Sequence, residues 1–276
     1  MNYRHAFHAG NFADVLKHSV LLGLWQALEA KSTPFCHVET HAGRGRYELA
    51  GAQARKTGEA ADGIERLRGA MGLPPLLLDY LKLAEADGPG IYPGSPLLAA
   101  RALRAGDSAQ LCELQPDEAA ALRRLLHEDP RMHVHQRDGY AALKGLLPPR
   151  ERRGVVLVDP PFEGQDAEFR AIEAALGAAL QRWPGGIYAV WYPIKLGRQV
   201  QPFHRWLREC GAARVLAAEL LVHPDDSPLR LNGTGMAIIN APWRFEGTLR
   251  TLLPVLAHLL SRDKPAQHHV YRLAGD

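Results

Sequence analysis

Asp159-Pro160-Pro161-Phe162 follows directly on the apolar run Val155-Val156-Leu157-Val158. This order reads as a buried strand that stops abruptly and delivers a carboxylate, a conformationally fixed carbonyl and an aromatic ring to one edge of a sheet. The combination suits chemistry on the exocyclic amine of a nucleobase. The lone pair of such an amine is delocalised into the ring, so it attacks a carbon electrophile poorly unless acceptors hold both N–H bonds and favour the tetrahedral nitrogen. Asp159 can be one acceptor and, at the end of the step, the proton sink. The carbonyl of Pro160, aimed by two successive prolines with fixed φ, can be the second. Phe162 can stack on a base drawn out of its helix, a contact worth about 1–3 kcal/mol. The plainer reading of the tetrapeptide by itself is a turn that ends a strand.

The elements that would position this group alternate along the chain. Strand-like runs occupy 35–39, 109–113, 132–136, 154–159, 186–192, 214–222 and 236–240, with helical stretches near 96–105, 116–127, 139–147, 167–182, 197–210 and 246–260. Alternation of this kind predicts an α/β fold in which a seven-stranded, mostly parallel sheet is covered on both faces. The Pro/Gly/Asp-rich stretch 223–235 has no room for a helix, so the last two strands should form an antiparallel hairpin. The interval between the first two runs is longer than a crossover requires. Its surplus contains two amphipathic stretches, 58–70 and 74–86, and residues 51–92 are expected to form a helical insertion subdomain between 1–50 and 93–276 of the main domain. The insertion could cap a substrate groove or simply stabilise the fold. Ahead of the sheet, Asn11 and Asp14 mark a helix start, and 15–30 carries a helical apolar stripe.

In an open parallel sheet, ligands bind at the carboxyl ends of the strands beside the point where strand order reverses. The first run ends in Glu39-Thr40-His41-Ala42-Gly43-Arg44-Gly45, where glycines let backbone approach a ligand. No GxGxxG is present, which argues against a pyrophosphate-bearing dinucleotide. Glu113 ends the second run and can accept from ribose hydroxyls. Asp138-Gly139 after the third can accept from an adenine amine and leave room for the ring, and the fourth delivers Asp159. Each position alone has an ordinary structural explanation. Together they suit an adenosine-bearing cofactor.

The 276 residues, 46% of them apolar, can bury a large core, and disorder is not expected. With 33 basic and 30 acidic residues the charge is too even to establish a nucleic-acid partner, although Arg44/Arg46, Arg101/Arg104, Arg123/Arg124, Arg150/Arg152/Arg153 and Lys195/Arg198 form small basic groups. Cys36, Cys112 and Cys210 are odd in number and lack CxxC spacing, which fits a reducing compartment. No signal segment or membrane-length apolar run is visible, so a cytoplasmic location with no membrane partner is expected. Thirteen histidines raise the question of metal, but none has a zinc-finger or HExxH spacing and no metal site is expected.

Several motifs together resemble one family. They are Tyr3-Arg4-His5-Ala6-Phe7-His8-Ala9-Gly10-Asn11, Ala13-Asp14-Val15-Leu16-Lys17-His18, the turn Thr40-His41-Ala42-Gly43-Arg44-Gly45-Arg46-Tyr47, Tyr92-Pro93-Gly94-Ser95-Pro96, Asp138-Gly139, Asp159-Pro160-Pro161 and Trp191-Tyr192-Pro193. The chain is similar, up to about Trp243, to the RlmJ family of bacterial 23S rRNA adenine-N6-methyltransferases. The resemblance implies a Rossmann-like class I methyltransferase with a helical insertion, dependent on S-adenosyl-L-methionine and acting on N6 of one adenine of 23S rRNA; a monomer working on protein-free or early-assembly RNA is expected. It implies that His18, His41, Ser95, Glu113, Asp138 and Gly139 contact the cofactor and that Asp159 accepts the proton, with Pro160 and Phe162 at the base. Tyr3 and Lys17 match the segment beside the pocket and are candidates for closing it. The family usually has tyrosine where this chain has Phe162, and some guanine-N2 rRNA methyltransferases have phenylalanine there. Guanine-N2 rRNA methylation, DNA adenine-N6 methylation and a non-catalytic RNA-binding assembly factor are the alternative readings.

Overall fold

The computed structural model describes residues 5–261 and 265–275. Among the described residues ten strands form: β1 (Cys36–Glu39), β2 (Arg46–Glu48), β3 (Ile91–Pro93), β4 (Ser108–Glu113), β5 (Met132–Gln136), β6 (Gly154–Val158), β7 (Ile187–Ile194), β8 (Val215–Leu221), β9 (Gly233–Ile239) and β10 (Gln267–Ala274). The helices are α1 (Phe12–Glu29), α2 (Ala52–Thr57), α3 (Ile64–Arg68), α4 (Pro75–Ala84), α5 (Ser95–Ala102), α6 (Pro116–Leu126), α7 (Gly139–Leu146), α8 (Gln165–Arg182), α9 (Gly197–Glu209) and α10 (Phe245–Leu260).

The main sheet runs β10-β8-β9-β7-β6-β1-β4-β5, and β2 pairs with β3 in a separate ladder. From β7 to β5 the pairs are parallel, whereas β9 runs against both β7 and β8. This is the expected Rossmann-like, mostly parallel sheet, with the anticipated β8–β9 hairpin. The strand count is eight rather than seven, because β10 adds antiparallel to β8. Only Leu273 of β10 is buried, since an edge strand pairs on one side and tolerates the polar Gln-His-His-Val-Tyr-Arg sequence. No apolar run therefore announces it.

Both faces of the inner strands are buried, so their side chains alternate between two cores. Val155 and Leu157 of β6 face the core that holds α1 and α10, while Val156 and Val158 face the one that holds α8 and α9. Helix α1 is buried nearly all round because it lies against the sheet and is itself covered by α4 and α10. Its start is fixed by Asn11, whose side chain accepts from the backbone N–H of Asp14.

The insertion differs from the two long helices read from its sequence. The second forms as α4, but the first, over 58–70, is broken into a 3-10 turn over Glu59–Asp62 and α3, and the short α2 precedes it. Gly63 sits against the Gly10–Asn11 backbone, where an added Cβ would lie 2.0 Å from the Gly10 carbonyl oxygen. Ile64, Leu67, Leu77 and Tyr80 of this segment are buried in the same core as α1.

Some arginines of the small basic groups serve the fold. Arg104 bonds Asp107 and the carbonyls of Lys31 and Thr33, Arg153 bonds the carbonyls of Leu28 and Thr33, and Arg101 pairs with Asp87.

The turn after β1 is pressed against the start of α7. A Cβ on Gly139 would lie 2.0 Å from the Thr40 carbonyl oxygen. Gly139→Ala is therefore expected to lower unfolding free energy by more than about 2 kcal/mol, seen as a lower denaturant midpoint with unchanged slope. A loss below about 0.5 kcal/mol would mean that the turn yields freely.

Candidate active site

The strand register brings the carboxyl ends of β1, β4 and β6 to one edge, with Glu39 beside Leu111 of β4 and Leu157 of β6. Strand order reverses at β1, the place where such a sheet opens a cleft. A cavity of about 890 Å³, including its open mouth, lies there and is lined by Lys17, His18, His41, Ser95, Glu113, Asp138, Gly139, Asp159 and Pro160, among others. These are the sequence-predicted site residues with two exceptions. Tyr3 lies outside the described residues. Phe162 is 8% exposed and does not reach the cavity. Its φ of 48° turns the chain sharply after the two prolines, and its ring packs edge-on against Phe169 and Trp191, with centroids 5.2 and 5.6 Å away. The ring expected to lie on a base is thus part of the core beneath the site.

Asp159 also lines a second cavity of about 470 Å³, with His5, His8, Asn11, Asp14, Lys17, Trp191 and Leu231. Its side chain is 14% exposed. Oδ2 accepts from Lys17 Nζ at 2.6 Å, and among the described residues Oδ1 has no hydrogen-bond partner. Trp191 stands on β7 at the wall of this second cavity, held by Nε1 donating to Thr234 Oγ1, with Lys17 Nζ 5.9 Å from its ring centroid. Trp191, rather than Phe162, therefore lines a cavity together with Asp159. The sequence contained it only as part of a motif, because its neighbours on the strand are equally apolar.

Lys17 is 5% exposed and also bonds Asp14 Oδ1 at 2.9 Å. Burial alone would lower its pKa, but the two carboxylates outweigh that and hold it well above the usual lysine value. Asp14 is itself buried, and burial would raise it. His5, at 2.9 Å through Nε2, and Lys17 overcome this and hold it well below the usual range. The N–H of Gly10 completes the set at 2.9 Å. Neither His5 nor Asp14 was singled out from the sequence as a site residue. The i,i+3 spacing of Asp14 and Lys17 was the available signal, and it resembled an ordinary helix start.

The first cavity is equipped differently. Glu113 accepts from the backbone N–H groups of Gly43 and Gln115, one on each oxygen, at 2.8 and 2.7 Å. Burial raises its pKa and those N–H groups oppose the rise. Asp138 caps α7 by accepting from Ala141 N. Ser95 donates to Glu39, which is fully buried. His18 bonds the Tyr92 hydroxyl at 2.8 Å, and burial pushes it down to about 3. Burial likewise pushes His41 down to about 4. Both imidazoles are neutral near pH 7. Three strand-end carboxylates, Glu113, Asp138 and Asp159, share this lining with one lysine that is already paired, while Glu118 beside them is held by Arg44. Such a lining repels a pyrophosphate and suits a cationic sulfonium whose adenosine carries hydroxyl and amine donors, so the residues fit S-adenosylmethionine.

A family model described as "Ribosomal RNA large subunit methyltransferase D, RlmJ" matches residues 32–272. The chain belongs to the RlmJ family. It is 40% identical over 260 residues to the Escherichia coli K12 protein named ribosomal RNA large subunit methyltransferase J, covering 93% of this chain and 92% of that protein. Identity to the Haemophilus influenzae protein of the same name is 38% over 265 residues, with 94% of each covered. A crystal structure of the Legionella pneumophila protein LPL1258 superposes with a TM-score of 0.88 at 33% identity, covering 96% of this chain and 98% of that one. The RlmJ assignment thus rests on nearly the whole length of the chain.

Two outcomes follow. Lys17→Met leaves Asp14 buried without its ammonium partner, so unfolding free energy should fall by about 3–5 kcal/mol; a neutral change in chemical denaturation would contradict the charge arrangement. His18 takes up a proton in the unfolded chain below its ordinary 6.5 but in the folded chain only near 3, so the unfolded state is the more protonated between those values. Stability should be complete above pH 6.5 and fall as pH drops, with His18 adding a slope of up to about 1.4 kcal/mol per pH unit. His18→Gln should remove that share of the slope, and an unchanged pH profile would show that His18 titrates normally.

Proposed function

We propose that the chain methylates N6 of a single adenine in 23S ribosomal RNA with S-adenosyl-L-methionine as donor. The observation that carries this reading is the position of Asp159 between two cavities, one fitted for an adenosine-bearing cation and the other walled by Trp191. When bound, S-adenosylmethionine supplies an electrophilic methyl group on a positive sulfur. Glu113 would hold the ribose hydroxyls through the lone pairs its two backbone N–H bonds leave free, with Asp138 at the adenine amine. Gly139, His18, His41 and Ser95 form the remaining walls.

The target adenine, flipped out of its helix, enters the second cavity against Trp191. Asp159 Oδ1 and the Pro160 carbonyl accept the two N–H bonds of the amine. The nitrogen lone pair forms the new N–C bond, the carbon–sulfur pair stays with sulfur, and an amine proton passes to Asp159. Lys17 holds Oδ2 and thereby aims Oδ1. Residues 51–92 would serve as the wall of the base side, because Glu59 of this segment bonds His8 and Asn11, which line the second cavity. Three free cysteines agree with action in the cytoplasm, where the chain would work as a monomer on protein-free or early-assembly RNA.

Incubation with methyl-labelled S-adenosylmethionine and protein-free 23S rRNA should label N6 of adenine at one position, read by nucleoside mass spectrometry. Label on guanine, or label only on duplex DNA, would replace the substrate. Asp159→Asn should lower turnover by about 10²–10⁴-fold while cofactor affinity stays within a few-fold. Turnover near the wild-type rate would remove Asp159 from the chemistry.

A further inference from the structure

An arginine-rich groove with an exposed indole lies far from Asp159. Arg214, Arg244, Arg250 and Arg272 line it together with Trp243 and Glu246, four guanidinium groups against one carboxylate. Trp243 is 75% exposed, unusual for the largest apolar side chain. Its ring is stacked by the Arg214 guanidinium at 5.5 Å, and Arg214 is fixed by donating to the Ala241 carbonyl at 3.0 Å. Glu246 holds Arg250 through Nε at 3.0 Å and Arg272 through Nε at 2.9 Å. Among the described residues the Arg244 side chain makes no hydrogen bond or ion pair, and its backbone is in the left-handed region at φ 63°.

The place of this groove follows from the register. Trp243 follows β9, whose last residue, Ile239, pairs with Tyr188 near the start of β7. Val155 at the start of β6 pairs with Ile187, so this is the end of the sheet opposite Asp159. Five residues of β6 and three strand spacings between β6 and β8 separate the two sites by roughly 20 Å or more.

We infer that this groove is a second RNA-docking site, in which Trp243 stacks on an unpaired base while Arg244 and its neighbours neutralise the flanking phosphates. The inference rests on the proposed action on ribosomal RNA. Its chemistry is that of single-strand recognition, an aromatic platform combined with cationic side chains along a groove. The Arg214 stack orients the indole in advance, so a base need not order it. Arg244, unpaired among the described residues, is free to meet a phosphate. A fold of this kind carries its reacting groups at the opposite sheet edge, so the groove would recognise a part of the RNA remote from the target adenine and select a large folded substrate over a short one.

The test compares wild type, Trp243→Ala and Arg244→Glu, each checked for an unchanged melting temperature. Equilibrium binding is measured to a long rRNA fragment able to span both sites and to a short hairpin able to fill only one. Both variants should bind the long fragment about tenfold more weakly, the loss of one stacked base or phosphate contact. Arg244→Glu should also reduce the slope of log affinity against log salt by about one or more. Affinity and methyl transfer for the short hairpin should be unchanged. Unaltered affinity of both variants for the long fragment would overturn the inference, and so would an equal loss on long and short RNA. If wild type binds RNA but transfers no methyl group, the proposed reaction fails and the binding comparison still decides the groove.

Discussion

The ammonium of Lys17 is buried between two carboxylates that come from different parts of the chain, Asp14 one turn earlier on α1 and Asp159 beyond β6. Three charges removed from water are tolerable only as a closed set, because each alone would carry a desolvation cost of several kcal/mol. Closing the set requires His5 and Gly10 as well, since Asp14 takes bonds from both. The arrangement therefore fixes the entry to α1, the position of α1 on the sheet and the direction of Asp159 at once. An N-terminal segment that might have been a loose tail becomes a wall of the second cavity.

The rest of the site follows from where the strands end. Parallel strands of matched register deliver their terminal residues to a common edge, so Glu113, Asp138 and Asp159 converge although they are distant in sequence. The two cavities that meet at Asp159 differ in character. They share Lys17 and His5 besides Asp159, but one adds Glu113, Asp138 and the neutral imidazoles of His18 and His41, and the other adds Trp191, His8 and Asn11. A group between two such spaces is well placed to influence a transfer from one to the other. That division of labour is a stronger guide to chemistry than any single residue, because each of the carboxylates has a plain structural duty as well.

Much of this was legible in the sequence where local rules and function coincide. An apolar run followed by Asp159-Pro160-Pro161 must be a strand that stops, and the ends at Glu113 and Asp138 could be read in the same way. What could not be read depends on packing. Phe162 follows one strand and Trp191 lies on another, and the left-handed turn at Phe162 sends its ring into the core while Trp191 lines a cavity with Asp159. The strand β10 has no apolar run because it lies at the sheet edge, where Leu273 is its one buried residue. The role of Gly139 was anticipated as room for a ring, whereas the nearest atoms to its missing side chain belong to Thr40. Arg214, Arg244, Arg250 and Arg272 are scattered over nearly sixty positions and gather only through the fold.

The central claim is that Lys17 and Asp159 act as one unit, the ammonium aiming the carboxylate that receives the amine. A double-mutant cycle of Lys17→Met and Asp159→Asn, read by single-turnover methyl transfer, tests it most directly. The account predicts a coupling of about 1–3 kcal/mol between the two changes, with the double variant hardly slower than Asp159→Asn alone. Effects that add to within about 0.5 kcal/mol would show two independent residues and contradict it.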